Sequence, residues 1–163
     1  MTPVSHALLP VFLGQRWIPH HNRIPDVRSV AIVAVCGMLP DLASPHLTLD
    51  DRHTAFSHTA WAALLFGAVV AALAIRFPKR IPPSFASLCF GAYSGHLACD
   101  AITGGIPLFY PSSTAIVGRN YLPYWLWITC DGALVLYLYF VYRWLPLRRK
   151  IHLPRSPGIP PAP

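Results

Sequence analysis

His96 and Asp100 stand four positions apart in GAYSGHLACDAIT, residues 91–103, a stretch apolar enough to enter a membrane. On a helix, residues i and i+4 project from one face, and imidazole with carboxylate is a donor pair that suits zinc. The spacing alone is weak, because eight histidines and six aspartates produce His-x-x-x-Asp by chance roughly 0.3 times in such a chain. The setting is more informative. Two ionisable groups in an apolar helix cost several kcal/mol unless paired or ligated, so they mark a functional site by default. The plain alternative is a hydrogen-bonded pair that ties helices together.

Other polar residues join them once the apolar segments are set out. His53 and His58, in HTAFSHT, are five apart and share no helix face. They act together only if His53 lies in a loop and His58 on the first turn of the next helix, with Ser57 as its N-cap. Ser57 and His58 do not read as a nucleophile and base, because adjacent residues on a helix point in different directions. Asp41 follows a proline in GMLPDLASPH, and an extended or turning backbone there would aim its carboxylate back into a bundle. Asp131 is either a further ligand or a partner of His6 or Arg119. His20, His21 and His152 lie beside basic clusters and are assigned to loops, and His46 follows Ser-Pro in a turn.

The elements that position these residues are apolar segments. Residues 59–75 carry no charge and end at Arg76, Lys79 and Arg80, the clearest spanning helix. A second span runs from Ile81 to Thr103 and stops at Gly104-Gly105, and a third from Asn120 to Tyr142, with Trp and Tyr at both ends. Residues 28–42 and 3–17 form shorter apolar helices that either cross or lie tilted within the interior. The fold class is therefore all-α: a polytopic membrane bundle of four to five embedded helices over residues 1–145. Residues 146–163 form a basic, Pro-rich, disordered cytoplasmic tail.

Composition agrees with a membrane setting. Apolar residues make up 54% and charged residues 12%, with no glutamate, so the Glu–Lys pairs of a soluble helix surface are missing. The net charge of +7 lies in short clusters between apolar runs, as in cytoplasmic loops, which argues against nucleic-acid binding. With five crossings and the N-terminus outside, Arg16, Arg23 and Arg28, then Arg76, Lys79 and Arg80, then Arg143 to Arg155, all face the cytoplasm. Arg52 and Arg119 remain outside, and His6, Asp41, His53, His58, His96, Asp100 and Asp131 fall in one outer layer. The four cysteines are scattered singly and read as small buried hydrophobes without disulfides. The N-terminus lacks a basic n-region and a small-residue cleavage pattern, so His6 is expected to be retained.

The ordered set SHALLPVFLG, GMLPDLASP, HTAFSHT and GAYSGHLACDAITGGIPLFYP resembles the YdjM family, bacterial membrane-bound proteins regarded as metal-dependent hydrolases. The resemblance covers roughly residues 5–112. It implies metal-site roles for His6, Asp41, His53, His58, His96 and Asp100, with Thr103 as a further motif residue. Three positions depart from the family pattern: Ala43 replaces a second acid, Thr54 replaces a frequent arginine, and Gly95 replaces the serine before the histidine. Asp131 is the carboxylate left to stand in for the missing acid. More distantly, the pattern is similar to zinc-dependent phospholipase C and P1 nuclease, whose His and Asp clusters hydrolyse phosphoesters.

These features imply a metal-dependent hydrolase of the bacterial inner membrane holding one or two Zn²⁺, with Mn²⁺ as the alternative ion. Its substrate would be an ester or phosphoester of a lipid or lipid-linked molecule at the outer face. Asp100 or Asp41 would accept a proton from water, and Arg119 or Arg52 would meet a phosphate. The rival class is a non-catalytic metal-binding, transport or structural bundle.

Overall fold

Five α-helices carry the described chain, residues 3–21, 24–45 and 52–145 of a computed structural model. They are α1 (Pro3–Leu13), α2 (Val27–Ala43), α3 (Ala60–Arg76), α4 (Pro83–Thr103) and α5 (Tyr124–Tyr139), the last continued by a π-helical turn, Phe140–Trp144. A two-residue antiparallel ribbon, His20–His21 with Ile24–Pro25, joins α1 to α2. The expected helices are therefore all present, and the tail from residue 146 lies outside the described residues.

Local chemistry sets the boundaries. Asp26 caps α2: its carboxylate accepts from the Ser29 amide and hydroxyl, both at 2.9 Å, which holds that carboxyl below its usual range. Prolines at the starts of α4 and α5 occupy positions where no amide is needed. Gly104 ends α4, and Gly105 and Gly118 adopt positive φ to fold the following segment back on itself, where Ile106 bridges Val117. Two expectations are corrected. Pro40 does not turn the chain before Asp41, because α2 runs through it to Ala43. The cap of α3 is Thr59, not Ser57: Phe56–His58 form a separate 3₁₀ turn, and Thr59 Oγ1 accepts from the Ala62 amide at 3.2 Å.

α4 is the central element, packed against α1, α2 and α3, while α1 also packs on α2 and α5. Val11, Val33, Cys36, Phe85, Cys89 and Leu138 fill one core between these helices, and Ala62, Ala63, Tyr93, Leu97 and Ile106 fill a second. Gly37 permits the closest crossing. A Cβ there would lie 2.1 Å from the His6 carbonyl oxygen, so only glycine lets α1 and α2 meet at that point. α5 runs parallel to α1, because Asp131 accepts from Ser5 near one end and Gln15 accepts from Tyr137 near the other.

The outer surface is apolar: Leu64, Leu65, Ile75, Trp125 and Leu136 are all exposed. One helical stretch among the described residues, Trp125–Trp144, is long and apolar enough to cross a membrane. α3 is apolar but has only 17 residues, and α1 has 11, about 16 Å against a hydrocarbon core of about 30 Å. α4 has 21 residues, but His96 and Asp100 sit within it.

Thr59 is fully buried, and its hydroxyl also donates to the Phe56 carbonyl at 2.7 Å. Thr59→Val, which keeps the shape and removes both bonds, is expected to lower stability by about 1–2 kcal/mol. Unfolding of the purified protein in detergent measures it.

Candidate metal centre

Four of the expected residues converge at one end of the bundle. His58 comes from the 3₁₀ turn before α3, His96 and Asp100 from α4, and Asp41 from the last turn of α2. One donor atom from each lies within 4.8 Å of the others. His96 Nε2 is 3.1 Å from Asp100 Oδ2, 3.4 Å from Asp41 Oδ1 and 3.3 Å from His58 Nε2. His58 Nε2 is 3.3 Å from both Asp41 Oδ1 and Asp100 Oδ2. Zinc with legs of about 2.0–2.1 Å has donor–donor edges of about 3.3–3.4 Å when tetrahedral. Five of the six edges are thus measured, and all five are close to that value.

Hydrogen bonds behind the rings decide which nitrogens face this point. The His96 Nδ1–H donates to the Gly37 carbonyl at 2.7 Å, which leaves Nε2 with its lone pair. Ser57 gives its only proton to the Pro40 carbonyl at 2.8 Å, so toward His58 Nδ1, 3.2 Å away, its oxygen accepts. His58 in its neutral form therefore also turns a bare Nε2 inward. Both partner carbonyls belong to one turn of α2, three residues apart. Tyr93 steadies the 3₁₀ turn by donating to the Ser57 carbonyl at 2.6 Å.

With both imidazoles neutral, two lone pairs and two carboxylate oxygens face one another. His58, His96 and Asp100 are buried, and of the four only Asp41 is open to water. Asp100 Oδ1 points away from the cluster and takes His6 Nε2 at 3.1 Å and Arg52 Nη1 at 3.3 Å. With neutral imidazoles, two carboxylates against one guanidinium leave a net charge of −1, and a buried uncompensated charge is strongly unfavourable. The donor set, its spacing and its charge fit a divalent cation of the zinc type.

The remaining candidates lie elsewhere. His6 stacks on His96 with centroids 3.8 Å apart and contacts Asp100, so it supports two members of the set and is not one of the four. His53 is half-buried in the turn before the 3₁₀ segment and is not one of the four clustered residues. Asp131 does not replace the missing second acid, because Ser5 on α1 holds its carboxylate. Arg52 is buried, with Nη1 3.3 Å from Asp100 Oδ1. Arg119 is exposed, and its amide donates to the Ala101 carbonyl at 3.0 Å. The Thr103 hydroxyl donates to the Cys99 carbonyl at 3.0 Å. Ser57 and Gly37 are the residues that reading the sequence missed as contributors. Ser57 was set aside because i and i+1 diverge on an α-helix, but on this turn the hydroxyl reaches the neighbouring ring.

Two outcomes follow for the isolated protein titrated with Zn²⁺ against a chelating dye. Ser57→Ala, which removes the Nδ1 partner of His58, should weaken binding by roughly ten- to a hundredfold. His53→Ala should leave the stoichiometry unchanged.

No curated protein and no solved structure matches the chain. A family model described as YdjM inner membrane protein matches residues 1–154, well beyond the stretch that carries the sequence resemblance. With nearly its whole length matched and the motif residues gathered into one cluster, the chain belongs to the YdjM inner membrane protein family.

Proposed function

We propose that the protein is a multi-pass inner-membrane hydrolase in which Asp41, His58, His96 and Asp100 hold one Zn²⁺, with Mn²⁺ as the alternative ion. The observation that carries this reading is that four donors lie within 4.8 Å of one another, with five of their six separations near the edge of a zinc tetrahedron. Zinc held by these four residues would supply Lewis acidity, to activate water near neutral pH and to offset charge on an ester or phosphoester oxygen.

The chain's own groups divide the remaining work. His96 is held by the Gly37 carbonyl, and His58 by Ser57, which is itself bonded to the Pro40 carbonyl. Asp100 is tethered through its second oxygen by His6 and Arg52. Asp41 differs: its side chain is 22% exposed, the only member of the set open to the outside. In this reading both carboxylates are ligands, and Asp41, the one that water reaches, is also the one placed to accept a proton from water. The phosphoester preference rests on the likeness of the donor pattern to the phospholipase C and P1 nuclease group, which is analogy at the level of a site.

The site lies at one end of the bundle, where α1 begins, α2 ends and α4 ends. The basic clusters around Arg16, Arg28, Arg76 and Arg143 belong to the opposite helix ends, so the positive-inside rule puts the site on the outer side and the C-terminus in the cytoplasm. In this arrangement the shorter helices are embedded alongside the spanning one, their polar residues turned into the bundle.

A second reading is favoured by the donor count. Four protein ligands with no open position are the pattern of a structural zinc site, which would make the protein a non-catalytic metal-binding bundle. Elemental analysis of the detergent-purified protein tests both. Near-stoichiometric zinc or manganese is expected, lost in His96→Ala combined with Asp100→Ala. No metal after reconstitution with excess zinc would mean that protonated imidazoles balance the carboxylates, and the hydrolase reading would fall. Hydrolysis of phospholipid or of bis(p-nitrophenyl) phosphate by the metal-loaded protein, reduced at least a hundredfold in Asp41→Asn with metal retained, separates enzyme from structural site.

A further inference from the structure

His6 makes one more contact possible than its approach to Asp100 uses. Its Nε2 lies 3.1 Å from Asp100 Oδ1, a close contact without hydrogen-bond alignment; a neutral ring facing a carboxylate on that side keeps its proton there and its lone pair on Nδ1. That atom is buried and has no hydrogen-bond partner among the described residues. It lies on the wall of a cleft of about 50 Å³ between α1 and α4, lined by His6, Leu9, Leu13, Gly91, Gly95 and His96.

The floor of this cleft is unusual for its sequence. Gly91-x-x-x-Gly95 is the spacing by which membrane helices approach closely. Here a Cβ at either glycine would meet nothing within 4 Å, so no helix among the described residues uses the space. The cleft opens sideways, because Leu13 is 63% exposed and Gly91 is exposed at its outer end. For a member of an inner membrane protein family, that side is the bilayer. From Gly91 to His96 the groove follows α4 for five residues, about 7–8 Å. Its walls are apolar until they reach the two imidazoles, a gradient that matches a lipid with its chain outward and a polar donor inward.

We propose that the α1–α4 cleft admits a hydroxyl-bearing lipid laterally from the bilayer, with its chain over Gly91 and Gly95 and a hydroxyl donating to His6 Nδ1. This names the substrate class of the site proposed above and rests on that reading. The lone pair of His6 selects a donor, so a lipid with glycerol hydroxyls fits and one with a choline head group does not.

The test uses the full chain in nanodiscs containing phosphatidylglycerol or phosphatidylcholine with a photoactivatable diazirine on one acyl chain. Cross-links are mapped by peptide mass spectrometry, and zinc is measured on the same samples. The phosphatidylglycerol probe is expected to label peptides carrying Leu9, Leu13 and Gly91 several-fold more than the choline probe. Gly91→Leu and Gly95→Leu should each cut that labelling at least fivefold, with labelling of Leu64 and Leu65 on α3 unchanged as a check on folding. Equal labelling by the two probes, or labelling indifferent to both leucines, overturns the proposal. So does a dimer that becomes a monomer in Gly91→Leu, which would give the cleft to a second copy. Zinc absent from a wild type that still labels selectively would remove the metal centre and leave the cleft standing.

Discussion

The site depends on two backbone carbonyls of α2. Gly37 accepts the His96 proton directly, and Pro40 accepts the Ser57 proton, which obliges Ser57 to accept from His58. A carbonyl cannot donate, so each ring is left with its lone pair directed at the two carboxylates. Every other feature of the centre serves this. Asp100 and Asp41 supply charge at the right distance, and His6 and Arg52 hold the far oxygen of Asp100 so that the near one stays in register. Without the α2 carbonyls, the same four residues could settle as imidazole–carboxylate hydrogen bonds and need nothing further.

Helix packing follows from the same need. For Gly37 to present its carbonyl to α4 while α1 brings His6 onto His96, three helices must meet within one turn of α2. Gly37 makes that possible by leaving out the side chain that the His6 backbone would strike. The polar layer sits where these helices begin and end, and the rest of their length is apolar. It also leaves one group, Asp41, in touch with the outside.

Reading the sequence located the five helices, because long apolar runs bounded by charge, proline and glycine signal their type and approximate extent. It placed His96 with Asp100, since the 3.6-residue period fixes which residues share a face. It brought Asp41, His58 and His6 to the same end, since alternating helices put those chain positions at one boundary. Boundaries were harder. Proline before Asp41 suggests a stop, but α2 continues through Pro40, whose carbonyl in the last turn accepts from Ser57 as well as from the Ser44 amide.

Sequence by itself determined the residue types, their order and the helix on which each stands, because those follow from local periodicity and apolar length. Tertiary structure alone decided membership of the centre. His53 matches the family motif as well as His58 does, yet one is held by Ser57 and α2 while the other stays in the preceding turn. Asp131 carries the same carboxylate as Asp41, but Ser5 takes it because α5 lies beside α1. Which nitrogen of each imidazole is bare also depends on partners 17 to 59 residues away in the chain. Periodicity reaches only a few residues along one helix, so no pattern in the chain encodes such pairings.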